Sequence, residues 1–189
     1  MNYKPYLIFS SIMAAGILAI FLVSQGYYPI AMVQGSFVSA KTFTEEYRAA
    51  SFSYQNALKA YGSVLQNSST LTQADLQAGV MDQIIENDII KNAAQKEAGS
   101  ALDGLVQSKV GQYANDEALA KASVTLYGLD QKALIADVLV PTATKDILAG
   151  RLTQQGIKFD DWLASAKKSA QVIIFSSQFR WDGAEVKAM

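Results

Sequence analysis

Hydrophobic and polar positions divide the chain into one uncharged apolar block, two short strand-like patterns, and a series of helical patterns between them. Residues 6–23 read YLIFSSIMAAGILAIFLV and carry no charge. Residues 30–37 form an extended piece in which Ala31, Val33, Gly35 and Phe37 share one face if it is a single strand. Apolar residues then recur at helical spacing through Phe43, Tyr47, Ala50, Tyr54, Ala57, Leu58 and Tyr61, predicting a helix over 42–61 with Gly62 as its stop. A Thr42/Glu45 capping box or Ser39 would open it. The polar run 66–70 is a loop.

The next helix has the clearest start. Thr72 caps it, Asp75 follows three residues on, and Leu71 can staple to Leu76. It is expected to reach Ala98 before Gly99, burying Leu76, Val80, Met81, Ile84, Ile85 and Ile89, with Asp82, Glu86, Lys91 and Lys96 on the solvent side. Shorter helical patterns cover 102–110, 116–127 (opened by Asn115, closed by Gly128) and 130–140. Pro141 lacks an N–H and crowds the preceding turn, so a kink or restart is expected before the pattern runs on through Leu148 and Leu152 to Gly156. A helix over 159–169 presents Trp162, Leu163 and Ala166, and the β-branched run 171–175 reads as a strand. A lone strand leaves its backbone groups unpaired, so the first and last extended segments are expected to pair with each other.

Charge placement changes the picture at the N-terminus. Lys4 is the one charged side chain before Lys41, and 6–23 would measure about 27 Å as a helix. The expectation is a signal-anchor in residues 1–28, comprising a cytoplasmic stub and a transmembrane helix that contacts the lipid bilayer through 6–23. A domain over 29–189 would then lie outside the cytoplasmic membrane, single-pass with the N-terminus inside. Tyr3, Tyr6, Tyr27 and Tyr28 would bracket the span. The competing reading is a cleaved signal peptide cut after Gly26. Ser11, Ala15 and Ala19 lie four apart, as in membrane helices that pair closely, which allows a homodimer through the anchor.

Composition then removes most chemistry. The chain has 189 residues and a net charge of -1, with no His and no Cys. That balance excludes a basic footprint for nucleic acid, and the missing side chains exclude disulfides, thiol nucleophiles, imidazole bases and most zinc or haem ligation. No phosphate-binding glycine loop, nucleophile elbow or calcium loop is present. The acid pairs Glu45-Glu46, Asp116-Glu117 and Asp160-Asp161 sit near helix starts, where carboxylates complement the helix dipole. Lys167-Lys168 reads as a solvated helix end. Aromatic residues crowd the first helix after the anchor and the C-terminal end, either as one core or, in part, as the lining of an apolar groove for extended peptide.

These motifs have a familiar order. Ala31-x-Val33-x-Gly35-x-x-Val38-Ser39-x-x-x-Phe43-x-x-x-Tyr47 resembles the opening of SurA-type N-terminal chaperone domains, and the helix with Leu76, Val80-Met81-Asp82-Gln83-Ile84-Ile85 and Ile89-Ile90 is similar to that family's long second helix. Leu126-Tyr127-Gly128-Leu129, then Leu134 to Pro141, resembles its Tyr-Gly segment and proline-interrupted helix. Residues 147–163 are similar to the start of a parvulin domain, but its Gly-Gly-x-Leu-Gly turn and His residues are missing. The resemblance implies a mainly α fold: a transmembrane helix, then an all-helical chaperone-like domain closed by a two-stranded sheet from its first and last segments. It implies a holdase for unfolded or nascent exported polypeptides, related to the SurA, PrsA and PpiD foldases, that has no isomerase activity, metal or cofactor. The candidate groove residues are Phe52, Tyr54, Tyr61, Tyr113 and Trp162. The alternative is a tethered structural module that binds one folded partner or itself.

Overall fold

The computed structural model describes residues 4–65 and 71–189, and the side-chain surroundings of 4–11 and 61–65 lie outside that description. The expected loop at 66–70 lies outside it too. Eight helices are described: α1 (Lys4–Ser24), α2 (Ala40–Leu65), α3 (Gln73–Ala98), α4 (Leu102–Val110), α5 (Glu117–Tyr127), α6 (Gln131–Leu134), α7 (Val140–Gln154) and α8 (Phe159–Ser169). Five strands accompany them: β1 (Pro29–Val33), β2 (Ser36–Ser39), β3 (Val172–Ile174), β4 (Phe179–Trp181) and β5 (Val186–Ala188).

Helix α3 is the axis of the fold, and its start is set locally. Thr72 accepts from the Asp75 N–H at 3.1 Å while Asp75 accepts from the Thr72 N–H at 3.0 Å, closing the capping box that satisfies two orphan donors. Its first half buries Val80, Met81, Ile84, Ile85 and Ile89 against Ala31, Val33 and Val38 of the sheet, with Phe43 and Tyr47 of α2 packed alongside. Its second half buries Ile90 and Ala94 with Leu102, Val106 and Val110 of α4 and Ala143, Leu148 and Leu152 of α7. Trp162 packs against both groups and joins them.

Several expectations are corrected. Residues 30–37 do not form one strand, because Gln34 and Gly35 both take positive φ (50° and 91°) and fold the segment into a hairpin. Two consecutive left-handed residues are the signature of a type I′ turn, whose twist suits paired strands. Phe37 is therefore displaced from the face that buries Ala31 and Val33 and is 68% exposed. The sheet has three strands in the order β2-β1-β3 where two were expected, and β1 and β3 pair antiparallel with Ala31 opposite Ile174 and Val33 opposite Val172. A second hairpin, β4-β5, was not expected at all. Its turn is built by Asp182, whose Oδ1 accepts from the N–H groups of Ala184 (2.9 Å) and Glu185 (3.0 Å). Phe179 and Val186 from this hairpin are buried in the core.

The membrane anchor is corrected as well. Among the described residues, no helix is long and apolar enough to cross a membrane. That finding overturns the transmembrane element of the expected fold and the single-pass location.

Local ends also differ. Helix α2 starts at Ala40 with Ser39 Oγ accepting from the Thr42 N–H at 3.0 Å, and it passes through Gly62 to Leu65. Asp116, not Asn115, caps α5 by accepting from the Leu119 N–H at 3.0 Å. Lys167 is no solvated helix end. Its ammonium donates to Asp82 (3.0 Å) and Glu86 (3.4 Å), its side chain is 12% exposed, and both acids expected on the wet side of α3 are partners of α8 instead. Asp82 Oδ1 also accepts from the Val186 N–H at 3.1 Å, fastening the C-terminal hairpin to α3.

Candidate functional site

Pro141 cannot donate to the carbonyl of Asp137 four residues back, and its ring crowds that turn. The chain answers by widening the helix, not by breaking it. Residues Ile135–Leu139 form a π-helix in which the Val140 N–H donates five residues back to the Ile135 carbonyl, so α6 runs into α7 without a restart. Thr142 Oγ1 and Thr144 Oγ1 donate to the carbonyls of Val138 (2.7 Å) and Val140 (2.8 Å), which covers part of the disturbed ladder. Asp137, within this segment, lines a cleft together with residues of α2. Such π segments occur often at functional sites.

Between this segment, α2, α3, α4 and the β1-β2 hairpin lies a cleft of about 520 Å³. Its apolar lining comes from Ile84, Leu102, Val106, Val140 and Pro141, with Phe37 of β2 at its edge. A second cleft of about 400 Å³ lies between α2 and the π segment, lined by Ala49, Ala50, Tyr54, Ala57, Tyr127 and Leu129. Glu46 and Asp137 line both, so the two clefts adjoin at this pair as two lobes.

The polar groups at the junction are carboxylates. Glu46 is half-buried and its carboxyl is pushed up to about 7, chiefly by burial and then by the negative charges of Asp137 and Asp88. Burial likewise raises Asp88, with Lys91 acting the other way, and raises Asp137, which also feels Glu45 and Asp130. None of the ion pairs among the described residues involves Glu46, Asp88 or Asp137. No buried side-chain oxygen among the described residues lacks a partner, so these unpaired carboxylates keep contact with solvent in the groove. The described residues hold no group of three acids placed to bind a metal ion.

Of the four expected groove aromatics with described side chains, the structure brings one to it. Tyr54 lines the second lobe and fixes the chain before α3, its hydroxyl accepting from the Leu71 N–H at 3.0 Å. Phe52 lies elsewhere on α2, stacked against Gly128, where an added Cβ would meet its ring carbons at 3.1 Å. Trp162 is packed between the two cores and beside Phe159, with ring centroids 5.7 Å apart. Tyr113 ends the turn after α4, away from both lobes, its carbonyl accepting from Gln131 Nε2 at 2.6 Å. The side chain of Tyr61 lies outside the described residues. Much of the remaining aromatic clustering is core: Phe43 meets Phe179 edge-on at 5.8 Å and stacks on Tyr47 at 6.2 Å.

Sequence reasoning missed Phe37, Tyr127 and Glu46. Glu46 was assigned to helix-dipole compensation, yet α2 begins at Ala40 and places it past the first turn, too far in to serve the helix end. The available signal was its position three residues after Phe43 and one before Tyr47, inside the apolar stripe. Comparison with protein-family models, curated proteins and solved structures gives no match for this chain.

Proposed function

We propose that the domain is a chaperone-type binding module that holds extended, unfolded polypeptide segments in the two-lobed groove, without catalysing a reaction. The observation that carries this reading is the groove itself: an open cleft with an aliphatic lining, exposed rings of Phe37 and Tyr127 among its residues, and two lobes that share Glu46 and Asp137. Its floor supplies non-directional apolar contact, which suits many sequences better than one. The order of motifs that resembles SurA-type chaperone domains supports the same reading. The chain has no His or Cys and no parvulin Gly-Gly-x-Leu-Gly turn, so the proposed module lacks the groups that a parvulin-type active site uses.

The test is suppression of aggregation. The full chain, added to a chemically denatured model client at near-stoichiometric amounts, is expected to slow the rise in light scattering while leaving the rate of prolyl isomerisation in a short peptide unchanged. Phe37→Ser is expected to weaken the effect, because an exposed ring costs within ~0.5 kcal/mol of stability when removed but more than ~1 kcal/mol where it contacts a ligand. No suppression by the intact protein, or equal suppression by Phe37→Ser, would overturn the reading.

A further inference from the structure

The groove is apolar on its floor and acidic at its waist. Five charged side chains line the first lobe: Glu46 of α2, Asp88 and Lys91 of α3, Asp103 of α4 and Asp137 of the π segment. Four are acids and one is a base, and Glu46 and Asp137 alone are shared with the second lobe, whose other lining residues are uncharged. Glu45 of α2 and Asp130, which caps α6, add further negative charge near Asp137. A neutral apolar segment would cover these carboxylates without partners, at a desolvation cost. A segment with a cationic side chain at the waist would pair them instead, while its apolar neighbours filled the lobes.

Resting on the reading of the groove as a polypeptide site, we infer that it selects segments in which a lysine or arginine is flanked by apolar residues. The cation sits between Glu46 and Asp137, with Asp88 on the first-lobe side. Three features converge on this occupant. The apolar floor on both sides of the waist requires an amphipathic ligand, not a free cation. The charge of the lining is complementary to a basic one. Glu46 of α2 and Asp137 of the π segment reach the waist from two different elements. Because Glu46 holds its proton to about 7, a bound cation favours the ionised form, so binding releases a proton and strengthens as pH rises.

The experiment uses the full chain and two dye-labelled short peptides that share phenylalanine and valine residues and differ only at the centre, one with lysine and the other with N-acetyl-lysine. Fluorescence anisotropy at pH 8 is expected to show the lysine peptide binding about tenfold more tightly, a difference of ~1.4 kcal/mol, and the preference is expected to shrink towards pH 5.5. The paired variant Glu46→Gln with Asp137→Asn is expected to bind both peptides alike, at the affinity of the acetylated one. If both peptides bind equally at pH 8, or the preference does not change with pH, charge selection is overturned while the groove reading stands. If neither peptide binds, the groove reading fails and takes the selection with it. The pH arm needs no substitution, so it decides the matter even if the paired variant does not fold.

Discussion

Replacing Glu46 by Gln tests the electrostatics of the groove in the protein alone. The carboxyl is raised from an ordinary 4.5 to about 7 by burial first, with Asp137 and Asp88 adding to it. At ~1.36 kcal/mol per pKa unit, that difference caps the cost of ionising Glu46 in the folded state at about 3 kcal/mol, and solvent access to the groove reduces it to about 1 to 2 kcal/mol. The sign follows from proton uptake. Between ~4.5 and ~7 the folded protein binds more protons than the unfolded chain, so stability falls as pH rises through this window and stays lower above it. Glu46→Gln removes this fall. Below about pH 4.5 both proteins carry a neutral side chain at position 46 and are expected to unfold alike, whereas at pH 8 the variant is expected to be about 1 to 2 kcal/mol more stable. Urea unfolding followed by fluorescence of Trp162 and Trp181 at a series of pH values measures the difference directly. Asp182, held down to about 2 by the backbone N–H groups of Glu185 and Ala184 and by Lys187, titrates below the window, and the raised Asp88 and Asp137 are present in both proteins. Parallel stability curves for the two proteins from pH 4.5 to 8 would refute this account of Glu46.

Two further substitutions test the frame around the groove. Lys167→Met leaves Asp82 and Glu86 facing each other without their shared cation and is expected to cost about 2 to 4 kcal/mol in urea unfolding. A loss within ~0.5 kcal/mol would show that the pair adds nothing to the fold. Gly128→Ala puts a Cβ at a φ of +66° and against the Phe52 ring, so a melting-curve loss equivalent to about 1 to 2 kcal/mol is expected. An unchanged melting curve would show that α5 does not need this close approach.

Features built from neighbouring residues were legible in the sequence. Thr72 and Asp75 announced the start of α3 because a capping box needs only four consecutive residues, and the period of Val80, Met81, Ile84 and Ile85 announced its buried face. The hairpin at Gln34-Gly35 was not legible, since its first turn residue is Gln and not the Asn or Asp that usually marks two positive φ values. Asp182-Gly183 did carry such a mark, but three-residue strands fall below the length at which alternation can be recognised. Glu46, Lys167 and Asp82 were misplaced for one shared reason: local rules assign charges to solvent or helix ends, and only tertiary contact shows which are enclosed by another element. Hydropathy over 6–23 likewise suggested a span that no described helix supports. The groove itself, formed by residues from β2, α2, α3, α4, α5, the π segment and α7, has no local signature at all.

Site-specific photo-crosslinking tests the central claim most directly. A photoreactive phenylalanine analogue is placed either at Phe37, on the rim of the first lobe, or at Phe175, an exposed ring just past β3 that lines neither lobe. Illumination with a denatured client is expected to give abundant adducts from position 37, which folded client does not give, and few from position 175. Equal capture from both positions, or none from position 37, would contradict binding in the groove.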